Sequence, residues 1–125
     1  MSPLMCMAVA VYFEARGEPL QGQYAVAEVV MNRVADIRYP NTVCGVVFER
    51  KAFSFTHDGK PDRLPKTPAA EKAMEVATNV MAGLKMGITS THYHATYVKP
   101  YWHKHFALDG LVGSHIFYTN TTKYK

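Results

Sequence analysis

The chain has 125 residues, 48% of them hydrophobic and 19% charged. That composition excludes a disordered polymer and is enough for one folded domain with its own core. A net charge of +4 and a pI of about 9.1 favour anionic partners, but no dense Lys/Arg cluster marks a dedicated nucleic-acid binder.

Residues 1–13 carry no charged side chain. Leu4, Met5, Ala8, Val11, Tyr12 and Ala15 recur at helical spacing, and Met7 and Ala10 widen the apolar arc. The spacing predicts a helix over 3–16, buried on most sides and stopped at Gly17. The run falls short of the roughly 18–20 apolar residues that span a bilayer. Lacking a basic leader segment, it does not read as a signal peptide. Pro19 opens a second helix, 19–36, with Val26, Val29, Val30, Val34 and Ile37 on its inner stripe. In YPNTVCGVVFE, Asn41 is the expected cap of a short helical turn. KAFSFTHDGKPDRLPK reads as a strand or extended arm ending in a turn at Asp58-Gly59. Thr67-Pro68 starts another helix, running to about Leu84, with Ala70, Ala73, Met74, Ala77, Val80, Met81 and Leu84 on one face. In the last third, THYHATYV and SHIFYT have β-type composition. The expected architecture is α+β, a single domain over 1–125, with helices in front and a small antiparallel sheet from the middle and the end. Cys6 and Cys44 lack metal-site spacing, and two buried thiols are expected rather than a disulfide.

The stretch YFEARGEPL places Glu14 and Glu18 four positions apart. Glu14 falls at the C-terminal end of the apolar helix, where partly negative carbonyls and desolvation both disfavour an ionised carboxylate. Those are the surroundings of a group that holds and donates a proton near neutral pH. Glu18 enters the next helix, where negative charge is favoured, and is expected to stay ionised and to cap that helix or pair with Arg16. The structural alternative makes both glutamates capping or surface residues.

YFEARGEPLQGQYAVAEVVMNRV, YPNTVCGVVFE, AFSFTHDGKPD and the closing SHIFY follow one another in order. Together they resemble the spore-cortex-lytic (SleB/CwlJ-type) cell-wall hydrolases, from about Met5 to Tyr118. The resemblance implies a compact lysozyme-like domain that cleaves peptidoglycan glycan strands between N-acetylmuramic acid and N-acetylglucosamine, as a lytic transglycosylase. It also implies that the first glutamate of the motif, Glu14 here, is catalytic.

Glycoside cleavage needs an acid on the leaving oxygen and a stabilised oxocarbenium-like centre. In a lytic transglycosylase the muramic C6 hydroxyl attacks C1, and one glutamate acts first as acid and then as base. A hydrolytic muramidase needs a second carboxylate or a held water, with Glu18, Glu28, Glu49 and Asp58 as candidates. Ala15 stands where lytic transglycosylases often carry a serine, and Ser54 is a candidate hydroxyl on the opposite wall. A glycan groove needs aromatic faces and polar groups. Tyr12, Arg16, Phe53, Tyr93, His94, Trp102 and His115 are the substrate-binding candidates, with the groove expected between the 50–57 arm and the 92–103 segment. Asn32-Arg33 reads chiefly as an inter-element hydrogen-bonding pair. His92 and His94 would share one side of a strand, as would His103 and His105 if that piece is extended, which raises a zinc-dependent amidase or peptidase as a rival. The spacing is not HExxH, and no metal or organic cofactor is expected. A non-catalytic module for glycan or nucleic acid is the other rival, and it leaves the carboxylate motif unexplained. The expected partner is peptidoglycan, with no nucleic acid, no membrane insertion and a monomeric state. The expected place of action is the bacterial wall, in the periplasm or outside the cell, for a phage-type lysin or an excised catalytic domain.

Overall fold

The computed structural model describes residues 1–49 and 64–122. The proposed arm 51–63, with Phe53, Ser54, Phe55, His57 and Asp58, lies outside the described residues. The elements in chain order are α1 (Pro3–Ala15), α2 (Leu20–Ala35), α3 (Val43–Val47), α4 (Pro68–Met81), β1 (His92–Ala95), β2 (Ala107–Val112) and β3 (His115–Thr119). A 3-10 turn, Tyr101–Lys104, lies between β1 and β2.

Ser2 caps α1 by accepting from the Met5 amide, and Pro3 fills the first turn, where its missing N–H costs nothing. Every residue from Cys6 to Tyr12 is buried, so α1 is the central rod around which α2, α3 and α4 pack. α1 ends at Ala15, but Gly17 does not take the left-handed conformation expected of a helix-stopping glycine. The turn is closed instead by the Glu18 amide donating to the Ala15 carbonyl. Thr42, not Asn41, caps α3 by accepting from the Gly45 amide. α4 stops at Met81, three residues early; Leu84 is exposed, and Val76 joins Ala70, Ala73, Ala77 and Val80 on the buried face. Ile37, assigned to the inner stripe of α2, is fully exposed because the helix ends at Ala35. Cys6 and Cys44 form a disulfide joining α1 to α3, against the expectation of free thiols. No helix among the described residues is long and apolar enough to cross a membrane.

β1 and β2 both pair antiparallel with β3, in the order β1-β3-β2. Among the described residues the sheet thus comes wholly from the last third of the chain. β2, ALDGLV, escapes composition because its side chains are mostly exposed and a bulge at Asp109 breaks its alternation. The β2–β3 turn uses Gly113 at φ +60°, and a β-carbon there would also collide with Glu18 Oε1.

α2 fixes the approach to this sheet through three polar side chains on adjoining turns. The Glu28 carboxylate accepts from the backbone amides of Met86, Gly87 and Ile88 at 2.8, 3.0 and 3.2 Å. Asn32 Nδ2 donates to the carbonyls of Ile88 and Ser90, and Arg33 Nε donates to that of Thr91 at 2.7 Å. Arg33 is therefore an inter-element tie, as its position in the second helix suggested. Glu28 lies within the buried face, not at its flank. Truncation of the buried Glu28 side chain removes the acceptor of three part-buried amides, those of exposed Met86 and Gly87 and half-buried Ile88. Glu28→Ala is expected to lower unfolding stability by about 1–3 kcal/mol. An unchanged urea midpoint would show that the 86–88 turn does not depend on this carboxylate.

Candidate active site

Glu14 stands on the last turn of α1, half-buried, and the Tyr93 hydroxyl donates to its Oε1 at 2.7 Å. The two residues are 79 positions apart. They meet because α1 ends beside the sheet and α2 holds the 86–91 backbone that leads into β1. Alternation along β1 turns Tyr93 toward the helices and turns His92 and His94 away. Opposite Tyr93 in register is Phe117, buried among Ala15, Ala25, Val26 and Val29. Burial first, and then the neighbouring Glu14 carboxylate, push the Tyr93 phenol well above its ordinary pKa, so it stays a donor.

His115 shares the helix-facing side of the sheet, with its ring 4.9 Å from that of Tyr93. Its Nδ1 is buried without a hydrogen-bond partner among the described residues and lies 3.9 Å from Glu18 Oε1. Burial lowers the His115 pKa, while the Glu18 and Glu14 charges oppose that shift. Glu18 itself reaches the β2–β3 turn. The Ser114 amide donates to Oε1 at 2.7 Å and the Ser114 hydroxyl to Oε2 at 2.6 Å. Desolvation works to raise its pKa, but the two Ser114 hydrogen bonds and His115 outweigh it and keep Glu18 below its ordinary value. Glu18 is therefore an ionised clasp between the α1–α2 junction and the sheet. Its expected partner Arg16 folds back on α1 instead, donating to the Tyr12 hydroxyl at 2.9 Å with its guanidinium over that ring. Tyr12 is buried, edge-on to Phe13.

The remaining candidates separate from Glu14. His94 Nδ1 donates to the Ala95 carbonyl at 2.7 Å, so its Nε2 accepts from the Tyr118 hydroxyl at 2.9 Å. Trp102 packs on His92, His94, Phe106 and Tyr118, on the face of β1 opposite Tyr93. It thus lines a second aromatic cluster, not the wall that carries Tyr93. His103 lies in the 3-10 turn, donating Nδ1–H to the Pro100 carbonyl, so it and His105 are not on an extended strand. The described residues bring no three potential metal ligands together. Phe53 and Ser54 lie outside them. Ala15 faces the apolar cluster under Phe117, so this position could not present a hydroxyl toward Glu14 without burying it. The Tyr93–Glu14 bond and the Glu18–Ser114 clasp had no local signal, since each joins segments far apart in sequence.

A cell wall hydrolase family profile matches residues 17–118, beginning just after Glu14. The chain belongs to the cell wall hydrolase family. Among its relatives, the spore cortex-lytic enzyme of Bacillus cereus is 46% identical over 72 residues, covering 58% of this chain and 28% of the relative. That of Bacillus subtilis is 45% identical over 69 residues, covering 55% and 23%. The aligned part thus spans about a quarter of those relatives' length. The likeness to solved domains extends further and takes in the helices and the sheet together. The catalytic domain of the Bacillus cereus SleB protein superposes with a TM-score of 0.81 at 35% identity, over 94% of this chain and 89% of that one. The catalytic domain of the germination-specific lytic transglycosylase SleB from Bacillus anthracis gives 0.80 at 33%, over 94% and 93%. The α+β class expected from sequence is the fold of these family members.

Acid titration separates the buried histidines from the carboxylate clasp. Burial, followed by the charges of Arg33 and Arg38, holds His92 down to about 3, against 6.5 for the free side chain. Below 6.5 the unfolded chain takes up a proton that the folded chain refuses, so stability falls as pH drops from 6.5 toward 3. His115 acts in the same sense. Glu18 stabilises above 4.5, and that contribution disappears as pH falls through its depressed folded value. His92→Phe, which keeps a ring among Trp102 and Phe106, is expected to flatten the decline in urea midpoint between pH 6.5 and 4.5. A slope equal to that of the parent would remove His92 from this account.

Proposed function

We propose that this cell wall hydrolase cleaves peptidoglycan between N-acetylmuramic acid and N-acetylglucosamine as a lytic transglycosylase, with Glu14 as its single acid/base. The observation that carries the reading is the Tyr93 phenol donating to a carboxylate that ends a buried, charge-free helix. The disposition of Glu18 and Glu28 supports it. Glu18 is engaged by Ser114 and Glu28 by three backbone amides, so neither is placed as a nucleophile or base. The likeness to a domain described as a germination-specific lytic transglycosylase points the same way.

In this mechanism Glu14 gives its proton to the glycosidic oxygen as the bond to C1 breaks. The resulting carboxylate takes the proton from the muramic C6 hydroxyl as that oxygen bonds to C1. The products are a 1,6-anhydromuramic end and a free N-acetylglucosamine hydroxyl, and Glu14 ends protonated as it began. Tyr93 holds the carboxyl in one orientation through both transfers, and His115 borders the same space. The chain acts as a single catalytic domain and as a monomer, without metal, organic cofactor or membrane insertion. It works on the wall in the periplasm or outside the cell, a setting whose oxidising chemistry suits the Cys6–Cys44 disulfide.

Mass spectrometry of products from purified peptidoglycan tests the reading. The parent chain is expected to release anhydro-muropeptides, and Glu14→Gln to release none. Reducing muramic ends from the parent would make the enzyme a hydrolytic muramidase, and undiminished cleavage by Glu14→Gln would remove Glu14 from the chemistry. Tyr93→Phe deletes one charge-assisted hydrogen bond and leaves the ring in place. It is expected to lower kcat by about 10- to 100-fold with little change in KM. A change confined to KM would make Tyr93 a substrate contact and not a positioning residue.

A further inference from the structure

The segment 96–105, which follows β1, divides its aromatic residues between two tasks. Trp102 is turned inward, stacked on Phe106 and packed against Tyr118. Tyr97 and Tyr101 are 87% and 89% exposed. The backbone that displays them is tied down: Thr96 N–H donates to Ser114 O, Val98 to Ala95, His103 to Pro100 and His105 to Trp102. Two phenol rings are therefore held out in water on an ordered arm, uncovered by the described residues.

The charges that this part of the chain itself carries have one sign. No Asp or Glu occurs between Glu75 and Asp109, whereas Lys99, Lys104 and His105 are exposed on the arm itself. Asp109 is occupied by hydroxyls of Ser90 and Thr119. Exposed ring faces beside lysines suit a polymer that alternates sugar faces with carboxylates, as glycan strands bearing stem peptides do. The arm also starts close to the site. Tyr97 is four residues beyond Tyr93, at most about 14 Å along the chain.

We propose that the 96–105 arm is a second wall-binding element that holds peptidoglycan near Glu14, Tyr97 and Tyr101 lying against sugar faces and Lys99 and Lys104 pairing with stem-peptide carboxylates. The proposal rests on the peptidoglycan reading of the site. Because the backbone is already ordered, little conformational freedom is lost when the polymer binds.

The test is co-sedimentation with purified sacculi stripped of secondary wall polymers, using Glu14→Gln throughout so that the wall is not consumed. Tyr97→Ser with Tyr101→Ser is expected to weaken binding about tenfold. Tyr97→Leu with Tyr101→Leu, which keeps apolar bulk but no ring, is expected to do the same. Lys99→Ser with Lys104→Ser should also weaken binding about tenfold and remove most of its salt dependence. Lys72→Ser with Lys85→Ser removes equal charge elsewhere and should change binding less than about twofold. Unchanged binding by the arm variants, an equal loss in the control pair, or a loss seen only on unstripped walls would each overturn the proposal. Failure of the Glu14 mechanism would show instead in the products of the parent chain, so the two failures are distinguishable.

Discussion

The attachment of α2 to the 86–91 backbone governs where everything else falls. Glu28, Asn32 and Arg33 supply acceptors and donors to five of the six turn and strand-approach positions 86–91, all but Thr89. The stretch runs from exposed Met86 and Gly87 into buried Ser90 and Thr91, and its inward-facing amides and carbonyls need such partners, because an unpaired group away from water is costly. Here one helix face provides them. The same contacts set the phase of β1, and phase is decisive in a strand. A slip of one residue would turn Tyr93 away from Glu14 and put a histidine in its place.

Three glutamates near or beneath the sheet have different surroundings and therefore different tasks. Glu28 is enclosed and engaged by backbone amides. Glu18 is clasped by Ser114 and kept ionised. Glu14 is held by a phenol whose own pKa is pushed up, so that the donor persists across the working pH range. The division explains why YFEARGEPL needs both of its carboxylates. The first meets the Tyr93 phenol and is the proposed acid/base, and the second locks the α1–α2 junction to the hairpin turn, whose glycine has no room for a side chain beside Glu18.

The sheet sorts its aromatic residues in the same way. Tyr93, His115 and Phe117 lie toward the helices, with Phe117 sealing the apolar cluster beneath the site. His92, His94 and Tyr118 lie on the far face under Trp102 and Phe106, where burial keeps His92 neutral. The histidine-rich end of the chain is thus a packing arrangement on two faces. α1 carries no polar side chain between its cap and Glu14 apart from the Tyr12 hydroxyl, so it is anchored by burial on all sides and by the disulfide to α3.

The sequence by itself determined the long helices, since periodicity and the Ser/Thr-Pro starts are local properties. It determined the special position of Glu14 too, because a charge at the end of an apolar helix is visible within one short stretch. The family resemblance rested on motif order, which is also carried by the chain alone. Only the tertiary structure decided that Cys6 meets Cys44, that Glu18 binds Ser114 and not Arg16, and that Trp102 lies across the sheet from Tyr93. β2 and the bulge at Asp109 belong with these, because exposed residues on an irregular strand leave little pattern. In each case the determining interaction joins segments tens of residues apart, and its energy depends on a register or a face that local spacing does not encode.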